Sequence, residues 1–171
     1  FGVPPHERAV GASLRPLLTG EATTVRDWAI GGVWGNWVQV TDGRIKYARA
    51  PEGDNAPLSM WSNRWSTMPV HVKGIAELPP PDGRAWLDRM PGSDIPVIRQ
   101  PFAPGDALPF WAGKGLAGQH HLYDLAIDPH EQENRSGTTG ATAERDAIEL
   151  LRQALTELQS PVEQLERLGI A

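Results

Sequence analysis

The chain has 171 residues, 40% hydrophobic and 22% charged, enough for one buried core and ordinary for a globular domain. A formal net charge of −5 without any basic run argues against nucleic-acid binding, and no stretch approaches the roughly 18 apolar residues of a membrane-spanning helix. The absence of cysteine excludes disulfides, thiolate nucleophiles and cysteine-bound zinc.

In chain order, Phe1-Gly2-Val3-Pro4-Pro5 shows neither the basic nor the apolar region of a signal peptide, which tilts the expectation toward the cytoplasm. With seven tryptophans, 16 prolines and 18 glycines, the chain reads as a loop-rich piece of a larger protein. Residues 1–27 form an irregular lead-in. Within it Ser13 to Gly20 is broken by Pro16 and stopped by Gly20, so one short helical turn is expected, packing Leu14, Leu17 and Leu18 inward.

Residues 28–50 read as antiparallel β. Trp28 to Val33 is a predicted strand and Gly35-Asn36 a turn. A hairpin follows, with Asp42-Gly43 expected as its two-residue loop. Val38 and Val40 alternate against Trp37, Gln39 and Thr41; Ile45 and Tyr47 alternate against Arg44, Lys46 and Arg49. Residues 51–118 carry scattered aromatics (Trp61, Trp65, Trp86, Phe102, Phe110, Trp111) without clean periodicity, and long irregular loops are expected there.

A last strand is predicted at His121 to Leu125. Asp128-Pro129 breaks it, and Glu131 to Asn134 is expected to form one helical turn. Ala147, Ile148, Leu151, Ala154, Leu155 and Leu158 follow helical spacing, with Thr142 as N-cap and Glu144 and Asp146 near the positive end of the dipole. Ser160-Pro161-Val162-Glu163 reads as a second start: capping serine, proline at the first helical position, capping-box glutamate. That helix runs to about Leu168 and closes at Gly169.

The chemistry visible in the residues is sparse. No serine sits in a G-x-S-x-G setting. His120 and His121, adjacent on a strand, point to opposite faces and do not share a metal ion; His6, His71 and His130 lie apart. Asp124, Asp128 and Glu131 suit turn initiation and capping better than acid–base work. Gly113-Lys114-Gly115 is too short to cradle phosphate. The residues alone therefore give an α+β chain: a small antiparallel sheet, made of the hairpin and a further strand, packed against a C-terminal helix, with no catalytic constellation and no metal site.

Several stretches carry a family resemblance. Leu122-Tyr123-Asp124-Leu125-Ala126-Ile127-Asp128-Pro129-His130-Glu131-Gln132-Glu133-Asn134 is similar to the sulfatase signature L-Y-D-L-x-x-D-P-x-E-x-x-N at every fixed position. Ser13 to Gly20 resembles S-L-x-P-L-L-x-G, and Val40 to Pro51 resembles the V-T-D-G-R-x-x-Y-x-R-A-P hairpin of a bacterial sulfatase subgroup. Met68-Pro69-Val70-His71 and Ser160 to Gly169 are also similar to that subgroup, and the stretches follow in order along the chain.

The resemblance implies the C-terminal subdomain of an α/β sulfuric ester hydrolase of the alkaline phosphatase-like superfamily. Residues 1–27 would be the lead-in from a missing N-terminal catalytic domain and 28–171 the subdomain, which supports the fold and shapes the substrate entrance. The parent would use formylglycine and calcium on a small-molecule sulfate ester. The chain lacks the C/S-x-P-x-R motif from which formylglycine is made, so it is expected to be inactive alone. The signature itself reads as structural: Tyr123 and Leu125 pack, Asp124, Asp128, Pro129 and Asn134 fix the turn after the strand, and Asp42 and Gly43 turn the hairpin. His71 and Lys73 are candidate substrate contacts, the rival for His71 being a loop histidine bonded only to backbone. Alternative readings are a free-standing, non-catalytic binding module of sulfatase descent and a fragment of a related phosphoryl-transferring enzyme.

Overall fold

The computed structural model describes residues 4, 9, 11–63, 84–90, 92–106, 118–138 and 141–171. The fold is α+β, with two small antiparallel sheets and a helix laid against the first. The expected contacts His71 and Lys73, the 68–71 stretch, Trp65, Phe110, Trp111 and the 113–115 stretch lie outside the described residues. Among the described residues no helix is long and apolar enough to cross a membrane.

Helix α1 (Arg15–Leu18) is the short turn expected, but its leucines do not pack inward. Leu14 and Leu17 are exposed and Leu18 is 86% exposed. A four-residue helix ending at Leu18 has too little length to lay a face on the core.

The first sheet has the order β1 (Ala29–Gly32), β2 (Val38–Thr41), β3 (Ile45–Arg49), β7 (His121–Asp124). Its inner face is a cross-strand row, Ile30–Val40–Tyr47–Leu122, set by the registers of the three strand pairs. Between β1 and β2 the Asn36 amide donates to the Val33 carbonyl and Gly35 has φ 72°, the positive value a type II turn demands at its third residue.

The hairpin loop is displaced by one residue from expectation. Thr41 pairs with Lys46 and Asp42 closes on Ile45, so the two loop residues are Gly43 and Arg44. Gly43, at φ 93°, takes the first loop position as in a type II′ turn. The Asp42 carboxylate accepts from the Arg44 and Ile45 amides, which fixes Asp42 at the rim of the turn. In this register Val40 faces Tyr47. Arg49 joins Tyr47 on the buried face instead of opposing it.

A second sheet lies where irregular loops were expected: β4 (Leu58–Ser62), β6 (Pro96–Phe102) and β5 (Trp86–Arg89), with β6 in the middle. The prolines of β6 argue against a central strand in sequence. They are tolerated because Pro96 is the first residue and the pairing with β5 ends at Trp86 opposite Arg99, leaving Pro101 flanked by β4 alone. Leu58 and Phe102 form a small core with Trp34 and Met60, and the Trp34 and Phe102 rings meet edge-on at 5.3 Å.

Helix α2 (Ala141–Glu157) buries Ala147, Leu151, Ala154 and Leu155 against β2 and β3, with Ile148 packed partly at its side. It starts at Ala141, so Thr142 is inside the first turn and not the cap. Glu144 does the tethering there, accepting from the Ser136 hydroxyl at 2.6 Å and the Gly137 amide at 2.8 Å; Asp146 lies beyond the first turn. Glu131 to Asn134 is not helical: Glu131 sits at φ 55° and its side chain pairs with Lys46.

Helix α3 (Val162–Arg167) has Pro161, not Ser160, at its N-cap and no side-chain cap. Ser160 belongs instead to the end of α2. Its amide donates to the Leu155 carbonyl and the Gln159 amide to Thr156, closing a Schellman motif with Gln159 at φ 53°. The same pattern ends α3, where Gly169 has φ 62° and Ile170 bonds back to Leu165, seating Leu168 and Ile170 in the main core.

Candidate functional site

The residues of the 122–134 stretch form one connected corner beyond β7. The Asp124 carboxylate accepts from the Ala126 amide at 3.1 Å and lies 3.5 Å from Arg44 on the hairpin loop. The Asp124 carbonyl accepts from the Ile127 and Asp128 amides, turning the chain. Asp128 follows with its carboxylate on the Glu133 amide at 2.8 Å; the Glu133 and Gln132 amides hold that carboxyl below the usual range.

Asn134 closes the corner. Its Oδ1 accepts from the Leu122 and Ser136 amides at 3.0 Å each, and its Nδ2 donates to the His120 carbonyl at 3.0 Å. Glu131 is held at 2.6 and 2.8 Å by the Lys46 ammonium across the sheet. Asp124, Asp128 and Glu131 therefore face three different partners and do not converge on a point. Pro129 is exposed in the turn.

The two adjacent histidines diverge. The His121 Nδ1 lies 2.7 Å from the Tyr123 hydroxyl on the outer face, while His120 accepts the Ala50 amide at 3.2 Å and its ring tilts against Tyr47. Burial, then the nearby Arg49 cation, holds the His120 pKa below the ordinary histidine value; burial does the same at His121.

On the inner side Tyr47 is fully buried, and its hydroxyl bridges Arg49 and Glu144. Burial raises the Tyr47 pKa against the lowering effect of Arg49. At Glu144 burial pushes upward, but the bonds from Ser136 and Gly137 outweigh it and the net shift is downward. Arg49 donates further to the Leu168 carbonyl at 2.6 Å and to the Glu52 carboxylate. Among the described residues no group of three histidine, aspartate or glutamate side chains is placed to hold a metal ion.

Two features escaped the sequence. A cavity of about 370 Å³ opens between the two sheets and the α2–α3 corner, walled by Trp34, Trp61, Leu58, Ile30, Leu155 and Arg167 among others. Arg167 itself is 2% exposed, and no periodic pattern marks it as buried. The nearest signal was its position at the end of a short helix whose other face carries Leu165 and Leu168. A second concavity, about 550 Å³, lies beside the hairpin loop, where Asp42, Arg44, Asp124, Arg135 and Asp146 mix charges of both signs.

No protein-family model matches this chain, and no curated protein matches it.

Proposed function

We propose that the chain is the C-terminal part of a sulfuric ester hydrolase of the sulfatase family, supporting the fold of the parent enzyme and shaping its substrate entrance. The reading rests on one observation: the unbroken Leu122 to Asn134 match to L-Y-D-L-x-x-D-P-x-E-x-x-N, preceded in order by the Ser13 and Val40 stretches. The α+β architecture, with an antiparallel sheet under a helix, is the one such a subdomain would have.

The corner geometry supports a structural role for the signature. Its side chains spend their bonding capacity on backbone amides and on Arg44 and Lys46. Hydrolysis of a sulfate ester needs an activated nucleophile and concentrated positive charge on the departing sulfate. In this reading both are supplied by the catalytic domain ahead of Phe1, together with calcium and formylglycine. His71 and Lys73 remain the candidates for contact with substrate from this part of the chain.

The test is to express the complete reading frame and the 171-residue chain side by side and assay aryl sulfate and aryl phosphate hydrolysis. The longer protein is expected to cleave the sulfate, to depend on a C/S-x-P-x-R residue, and to lose kcat/KM on His71→Ala; the chain alone is expected to be inert. Preferential cleavage of the phosphate would favour a phosphoryl-transferring parent. A frame without the motif, or sulfate turnover by the rigorously purified chain alone, overturns the proposal.

A further inference from the structure

The cavity between the sheets combines an apolar body with a cation, Arg167, that has no carboxylate partner among the described residues. Its walls are largely apolar and aromatic, and its volume of about 370 Å³ falls within the range of small-ligand sites. Three ionised side chains line it: Arg99, Glu163 and Arg167.

Arg99 is fully engaged. It lies between the Trp61 and Trp86 rings at 5.0 and 5.3 Å, and it bonds the Ser59 hydroxyl, the Asp88 carboxylate and the Glu163 carboxylate. Arg99, Asp88 and Glu163 thus satisfy one another at the wall, and Arg167 stands outside that cluster.

Arg167 differs from Arg99 in having no acid. Its Nη1 donates to the Asn36 carbonyl and the Asn55 side-chain oxygen, both at 2.8 Å, and its Nε to Gln164 at 3.1 Å. All three acceptors are neutral. Among the described residues no carboxylate pairs with Arg167 and no group accepts from its Nη2. The other buried arginine, Arg49, has Glu52. Burial lowers the Arg167 pKa to about 10, so it remains a cation at neutral pH. A buried cation without a counter-ion is costly, and a bound anion relieves that cost. Ser160 also lines the cavity, and its buried hydroxyl has no partner among the described residues.

We infer that this cavity is a binding site for a small aromatic or aliphatic anion, its apolar body against Trp34, Trp61 and Leu58 and its carboxylate or sulfonate on the Nη2 edge of Arg167. No residue of the 122–134 corner, on which the proposed function rests, lines the cavity.

The test is calorimetric titration of the 171-residue chain with 4-methylbenzoate and with its neutral counterpart 4-methylbenzamide, tryptophan fluorescence serving as a second readout. The benzoate is expected to bind at one site with a Kd below about 1 mM, and the amide at least about tenfold more weakly. Arg167→Met should remove that preference for the anion. Ile30→Phe, which leaves Arg167 in place and fills the cavity, should abolish binding of both, and it keeps the test decisive if Arg167→Met does not fold. The inference is overturned by equal affinity for acid and amide, by binding that survives Ile30→Phe, or by the absence of saturable binding.

Discussion

Arg49 and Arg167 are buried, although a sequence reading assigns such residues to the surface, and the reason is local. Each is placed by a strand or helix that also carries core residues, and each finds backbone carbonyls or side-chain amides left over from turns. Arg49 was partly legible, because it is two residues from Tyr47 on the same strand. Asp124, Asp128 and Asn134 were the most legible residues, since short polar side chains beside a proline have few uses other than bonding nearby amides.

His120 gives a pH dependence whose sign is fixed. Its folded pKa lies below the ordinary 6.5, so between those two values the unfolded chain holds a proton that the folded chain rejects. Stability is therefore level above about pH 6.5 and declines as the pH falls through the window beneath it. Glu144, lowered from 4.5, adds a further loss at more acidic pH in the same direction. Substituting His120→Asn keeps an acceptor for the Ala50 amide and removes the titration. Thermal melts between about pH 7.5 and 5.5 should show a smaller drop in Tm for this variant than for the wild type; equal slopes would remove His120 as the cause.

At the scale of elements, the helices and the first sheet were readable because each has one apolar face with a fixed period. The ends were not. Ser160-Pro161-Val162-Glu163 has every residue of a helix start, yet the Schellman motif of α2 claims the Ser160 amide, and Arg99 claims Glu163. Two adjacent elements compete for one serine, a conflict a local pattern does not reveal. The second sheet was missed for a different reason: its central strand carries proline at Pro96 and Pro101, which argues against a strand there. Gln159 holds the left-handed position at the end of α2 with φ 53°, where glycine is unstrained. Gln159→Gly should stabilise the chain by about 1 kcal/mol in urea unfolding, and a loss of stability would mean that the side chain's contact beside Gly92 outweighs the backbone term.

At the scale of the molecule, the α+β class followed from the sequence because the main core comes from the two regions of clear periodicity, the hairpin and α2. The fate of the lead-in did not follow. Leucine in a helical turn reads as buried, but burial needs a surface to lie against, and α1 is outside both core clusters. Leu18 contributes almost nothing to folding at its exposure, so Leu18→Ser should shift unfolding free energy by less than about 0.5 kcal/mol. A large destabilisation would show that the leucine is packed in solution.

The clamp that Asn134 places on Leu122 has a consequence for how molecules meet. β7 ends the first sheet, and the amide and carbonyl that Leu122 turns outward are both taken, one by the Asn134 side chain and one by the Arg135 amide. A stray strand arriving at that border finds no unmet backbone group at its centre, so the sheet is sealed against templated growth there by its own chain.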